Sequence, residues 1–117
     1  MKTYAEIYKA IGDETRITIL ALLIFKKELC VCDVEGILEI SQSKASRHLR
    51  YLKNAGLITD RREGIWVYYR ITADKQSEGF QVLNSNKKLL VSLLDEHIQQ
   101  SVDNWFVSKQ CNSCAAG

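Results

Sequence analysis

Asp33-Val34-Glu35-Gly36-Ile37-Leu38, then Ser41-Gln42-Ser43-Lys44-Ala45-Ser46-Arg47-His48-Leu49, continuing through Leu52 to Ala55-Gly56, is the stretch on which the fold turns. The first segment predicts a helix of about two turns. Ser41 is placed to cap a longer helix running to Ala55, with Ala45, Leu49 and Leu52 facing inward. Gly56 then suits the left-handed stop position. Short helix, tight turn and longer helix make a helix-turn-helix pattern. Beyond it the period changes. Leu57 to Arg62, a Glu63-Gly64 turn, and Ile65-Trp66-Val67-Tyr68-Tyr69-Arg70-Ile71 predict a β-hairpin whose second arm is β-branched and aromatic. A hairpin directly behind a recognition helix is a wing. The expected fold is therefore mainly α with a β-hairpin wing, a winged helix-turn-helix, in dimeric form.

Such a unit implies nucleic acid as partner. Near its N-terminus the longer helix offers Gln42, Ser43, Lys44, Ser46, Arg47 and His48, at the end that enters the major groove in this motif. Gln42 and Arg47 have the geometry for bidentate contacts to adenine and guanine. Ser43, Lys44 and Ser46 suit phosphates, which the helix N-terminus also attracts. Arg61 and Arg62 near the wing tip are expected to reach the DNA backbone or an adjacent minor groove. Charge agrees. The chain is only +2 overall, yet residues 41–70 hold seven basic side chains against two acidic ones. A basic centre in an acidic frame is the footprint of a nucleic-acid face.

Working outward, Tyr4, Ile7, Tyr8 and Ile11 predict a short amphipathic helix over residues 3–10, ended by Gly12. Asp13 is placed to cap the next helix, whose Ile17, Leu20, Ala21, Leu23 and Ile24 form a buried stripe. Residues 72–81 are polar and predict a loop. Leu83, Leu90, Leu93, Leu94, Ile98, Val102 and Trp105 share one helical face, which predicts a single long helix over residues 83–106. With Trp105 and Phe106, that face exceeds what a small core needs, and a dimer seam shared with the first helix is expected. The 117 residues suit one domain, 1–106, followed by a flexible cysteine-bearing tail, 107–117. No apolar run approaches the ~20 residues of a membrane span. The polar start lacks a signal-peptide core. A cytoplasmic protein is expected, with no membrane partner.

Four cysteines fall as two pairs, Cys30/Cys32 and Cys111/Cys114. In a reducing compartment such pairs are ligands or redox groups before they are structural disulfides. Thiolates select soft, thiophilic ions. Residues i and i+2 of a regular helix point about 200° apart. In an extended segment they share a face, about 6.6 Å apart. Cys30 and Cys32 therefore converge on one ion only if their segment is extended or distorted, so an ion competes with helical geometry at the start of the helix-turn-helix.

Trivalent arsenic and antimony bond to thiolates in a three-legged pyramid, so two cysteines give only part of such a site. Cys111 or Cys114 can supply a third or fourth sulfur, from the same chain or its partner. Cadmium, lead or zinc on three or four thiolates, a thiol redox switch, and a structural four-thiolate zinc site remain alternatives. Asp95-Glu96-His97 resembles half of a zinc site, but no second histidine follows, so His97 reads as a surface or seam residue. No acid–base or nucleophile constellation exists beyond the thiols, and no enzyme is expected.

These motifs together resemble the ArsR/SmtB family of winged-helix repressors, over the chain to about residue 106. The resemblance rests on Gly12-Asp13-Glu14-Thr15-Arg16, Glu28-Leu29-Cys30-Val31-Cys32-Asp33, the Ser41–Leu49 segment, Gly56-Leu57-Ile58 and Gly64 to Arg70. The arsenite-responsive branch is the most similar. The resemblance implies a homodimer on double-stranded operator DNA, released when arsenite or antimonite binds cysteine thiolates, and no catalysis. Arsenite sensors of that branch carry a further cysteine three positions after the second; here that position is Glu35.

Overall fold

The computed structural model describes residues 4–110. Its elements are α1 (Tyr4–Ile11), α2 (Glu14–Lys26), β1 (Leu29–Cys30), α3 (Val31–Leu38), α4 (Gln42–Asn54), β2 (Ile58–Glu63), β3 (Trp66–Ile71), α5 (Glu78–Ser85), α6 (Lys87–Ser92) and α7 (Glu96–Gln110). The winged helix-turn-helix expectation holds: α3 and α4 form the motif and β2–β3 the wing.

α2 is the axis of the core. Its five consecutive residues Ile19 to Leu23 are all buried, while Ile17 and Ile24 are half-buried. The predicted stripe is thus a helix enclosed on every side through its middle, because α1, α4, α6 and β3 pack around it. Fully burying each such Leu or Ile contributes about 1.5–3 kcal/mol.

The helix-turn-helix is set by local chemistry. Ser41 Oγ accepts the Lys44 N–H at 3.1 Å, satisfying a free donor of α4. Ala45, Leu49 and Leu52 bury its inner face, and Gly56, at φ 82°, makes the left-handed exit. The Asp13 cap fails, however. Asp13 stands at the N-cap of α2 but its side chain accepts no capping bond; it turns instead toward Arg16 and His48.

The sheet has three strands, not two, in the order β1-β3-β2 and antiparallel throughout. Cys30 pairs with Tyr68, Leu29 with Tyr69, and Arg61 of the wing with Tyr68 from the other side. A two-residue strand is too short to show a period in sequence, which is why β1 was not expected.

The single long C-terminal helix is corrected to three. Ser77 Oγ accepts the Phe80 N–H at 3.1 Å and starts α5 inside the expected loop. Asn86 then leaves helical geometry, its side-chain amide bonded back to the Val82 carbonyl at 2.8 Å. In Asn84-Ser85-Asn86 short polar side chains compete with the helix for backbone partners. Asp95 Oδ1 accepts the Ile98 N–H at 2.9 Å and caps α7. The break lets α7 fold back on α3 and α2. Trp105 and Phe106, expected at an open seam, pack inside their own chain, with Lys26 Nζ 4.6 Å from the Phe106 ring. Among the described residues the apolar side chains left outward include Tyr4 and Tyr8 on α1, Leu89 on α6 and Leu93 just after it. No helix among the described residues is long and apolar enough to cross a membrane.

Candidate metal centre and nucleic-acid interface

The cysteine pair sits at a strand-to-helix junction. Cys30 ends β1 and serves as N-cap of α3, extended at φ −90° and ψ 170°. Cys32 lies in the first turn of α3. Their Cα atoms are 5.4 Å apart and the two sulfurs meet as a disulfide pairing. The junction thereby removes the expected conflict with helical geometry: the helix begins only after Cys30, so the sulfurs converge without unwinding it. Two convergent sulfurs can do two things, bond to each other or grip one soft ion.

Asp33 completes the cluster, with one ligand atom from each of Cys30, Cys32 and Asp33 lying within 4.8 Å of the others. It is buried, and its oxygens are engaged. Oδ2 accepts the Cys30 N–H at 2.9 Å, and Oδ1 accepts from Trp105 Nε1 at 2.8 Å and Lys109 Nζ at 2.7 Å. A hard carboxylate with three donors in place is an anchor rather than a ligand for a soft ion. Lys109 Nζ also stands 4.0 Å from Cys30 Sγ. The Trp105 ring covers Gly36 so closely that any Cβ there would overlap it. Cys111 and Cys114 lie outside the described residues. His97 is exposed near the start of α7.

On α4, Gln42, Ser43, Lys44 and Arg47 are exposed and Ser46 is half-exposed, so these five share the outer face. His48 is not with them. Its side chain is 11% exposed and turned to the α1–α2 junction, Nδ1 3.9 Å from Asp13 Oδ2 and 3.4 Å from Arg16 Nη1. Burial holds the imidazole below its ordinary pKa; Arg16, Arg47 and Lys44 push the same way and Asp13 opposes them. The reason lies in Arg16, which sequence reasoning passed over. Its Nε donates to the Ala10 carbonyl at 2.6 Å, and its guanidinium stacks 4.0 Å from the Tyr51 ring. One cation thus ties the C-terminus of α1 to α2 and α4, and His48 seats α4 against it.

The two wing arginines part company. Arg61 shares a face with Tyr68 and lies over its ring at 4.7 Å. It grips Glu28 with two bonds of 2.8 Å and Glu63 with one of 2.6 Å. Those bonds hold the Glu28 carboxyl below its usual range and raise Arg61 further. Arg61 therefore clamps the wing to the residue before β1. Arg62 points from the opposite face, exposed, with no ion pair among the described residues. Strand alternation separates the two, yet nothing in the sequence announces Glu28 as Arg61's partner, or Trp105 and Lys109 as Asp33's.

A family model described as bacterial regulatory protein, arsR family, matches residues 13–60. The cadmium resistance transcriptional regulatory protein CadC homolog of Staphylococcus aureus is 39% identical over 106 residues, 91% of this chain and 69% of that protein. The arsenical resistance operon repressor of Escherichia coli strain K12 is 48% identical over 67 residues, 57% of each chain. Among solved structures, HlyU from Vibrio cholerae superposes with a TM-score of 0.63 at 31% identity, over 74% of this chain and 89% of its own. The homodimeric winged helix-turn-helix domain Mb0332 of Mycobacterium bovis does so with a TM-score of 0.61 at 30% identity, over 83% and 82%.

Proposed function

The chain belongs to the arsR family of bacterial regulators, and from that premise we propose that it is a cytoplasmic repressor. As a homodimer it binds operator DNA and lets go when a thiophilic ion, trivalent arsenic or antimony first, occupies Cys30 and Cys32. The observation that carries the reading is the convergence of two sulfurs at the joint between β1 and α3. Cadmium, lead or zinc on a larger thiolate set is the nearest variant, and relatives named for arsenic and for cadmium resistance are both among the matches.

The joint has two routes to DNA. Forward, α3 packs on α4, whose Gln42 and Arg47 face outward. Sideways, the Cys30 backbone pairs with Tyr68 of β3, the strand that carries the wing. An ion held by both sulfurs resets the angle between β1 and α3 and so moves both contact surfaces. It shifts DNA binding only by its differential affinity for the two forms. Coupling of ~1–3 kcal/mol, or 5–150-fold in operator affinity, is the expected scale. Tyr4, Tyr8, Leu89 and Leu93 are exposed apolar side chains available to the dimer contact.

The test is release of the protein from a labelled promoter fragment by arsenite, antimonite or cadmium, for wild type, C30S and C32S. Release of wild type by stoichiometric arsenite, lost in both variants, is expected. Unimpaired induction of C32S would end the reading.

One observation favours a second mechanism. The sulfur-to-sulfur pairing of Cys30 with Cys32 is also the product of thiol oxidation. In that case peroxide, in metal-free buffer, releases the DNA and a reductant restores binding.

A further inference from the structure

We propose that this chain carries a binding site for a small amphipathic organic anion, in the cleft between the C-terminal end of α2, the end of β3 and the corner where α5 meets α6. The cleft shares no residue with the cysteine pair, and the inference does not depend on reading that pair as an inducer site.

The cleft has a volume of about 500 Å³, inside the range of roughly 300–1,000 Å³ that small-molecule sites occupy. Its floor is apolar and drawn from three elements: Leu23 and Ile24 of α2, Ile71 of β3, and Phe80 and Leu83 of α5. Leu23 and Leu83 are buried in the core. Ile24, Ile71 and Phe80 are only half-buried, so the floor is fixed from below and still has apolar surface to cover.

The rim is cationic. Lys27, Arg70 and Lys87 stand on it, all three exposed. Among the described residues none of them forms a salt bridge. Glu28 is the one acid of the lining, and both of its oxygens accept from Arg61 at 2.8 Å. Its charge is thereby matched by the wing, and Arg70 feels it only at longer range. Lys27 also holds φ 75° and ψ −45°, a strained backbone for a residue with a Cβ. Residues held in this way cluster at ligand clamps and binding sites.

Chemistry selects the occupant. The floor favours a hydrocarbon or aromatic body. Three unmatched cations favour an anionic head, and the planar fork of Arg70 suits a carboxylate. A bare phosphate would leave the floor uncovered. A second copy of this chain, packed here about a two-fold axis, would set the rim against itself and bring like charges together.

The experiment is methyl NMR on the full-length reduced protein, with octanoate, octan-1-ol, octyltrimethylammonium and inorganic phosphate as probes. Octanoate is expected to move the methyl signals of Leu23, Ile24, Ile71 and Leu83. Octan-1-ol should bind about tenfold more weakly or worse, the loss of a bond to a charged donor, and octyltrimethylammonium should not bind. Arg70→Gln and Lys87→Gln should each weaken octanoate and leave octan-1-ol unchanged, whereas a merely structural role would lower both. Asn84→Trp, which fills the cleft from an exposed position on α5, should block octanoate. C30S/C32S should bind octanoate as wild type does, which keeps this test apart from that of the cysteine pair.

Octan-1-ol binding as tightly as octanoate would overturn the inference, as would inorganic phosphate moving the same methyls or no probe moving any. Contacts from these methyls to the partner subunit in the free dimer would overturn it too, since a second copy would then cover the cleft.

Discussion

Replacing Asp33 by Asn changes one oxygen to nitrogen and removes one charge, and the structure says what that does. The carboxylate is 3% exposed and the Lys109 side chain that it pairs with is 14% exposed. Neither orientation of the new amide serves all three donors. If its oxygen faces Trp105 and Lys109, its NH2 meets the Cys30 N–H; if reversed, it meets the indole and the ammonium. Removing one partner of a buried ion pair costs about 3–5 kcal/mol, and Lys109, at the edge of the site, recovers part of that by reaching water. A stranded backbone or indole N–H adds about 1–3 kcal/mol. The expected loss is about 3–4 kcal/mol. At about 4 °C per kcal/mol for a domain of this size, Tm should fall by at least 10 °C. Circular dichroism melts at one fixed protein concentration check this, because dimerisation makes Tm concentration-dependent. Trp105→Phe removes a single donor and keeps the ion pair, so it should lose about 1–2 kcal/mol. An Asp33→Asn protein that melts within about 0.5 kcal/mol of wild type, as a surface substitution does, would show that this carboxylate does not hold α7 to α3.

The two wing arginines should separate in DNA binding: Arg62→Ala weakens all sequences alike and lowers the salt slope by about one, whereas Arg61→Ala leaves that slope in place and speeds amide exchange in β2. Arg47→Ala should lose about 1–3 kcal/mol of discrimination between a promoter site and random DNA, read by competition gel shift. Gly79→Ala should cost about 1–3 kcal/mol, because its Cβ would strike the Gly56 backbone carbonyl, with little freedom to yield. His48 is held below its unfolded value near 6.5, so the unfolded chain takes up protons first. Stability is therefore lost as pH falls from about 6.5 toward the lower folded value, and His48→Gln should flatten that part of the curve. Glu28, also depressed, stabilises above its unfolded value of 4.5 and loses that contribution as pH falls through the folded one.

Much of the fold was legible because its signals are local. Ser41 and Gly56 mark the ends of α4 by the chemistry of a cap and a left-handed turn, and the β-branched run from Ile65 marks the wing by its period. The failures have local causes as well. Hydrophobic period alone ran through Asn84-Ser85-Asn86, where side-chain bonding to the backbone outweighs an apolar face. β1, at two residues, spans a single strand period and cannot show an alternation. The site was half legible: Cys30 and Cys32 stand together in sequence, as do the outward residues of α4. Asp33's partners Trp105 and Lys109, by contrast, lie more than 70 positions away, and His48 turns inward because of Arg16, a contact across two helices. Nothing at 105 or 109 marks those residues as neighbours of position 33.

β1 pairs with β3 through main-chain groups alone, and such pairing does not depend on which side chain the strand carries. The backbone lever that reaches the wing therefore survives replacement of Cys30 by any small residue. Its neighbours in the cluster can change along with it. Under the proposed function, side chains at positions 30 and 32 can be exchanged while the main-chain pairing that reaches the wing stays as it was. On that reading, the choice of signal is separable from the response to it.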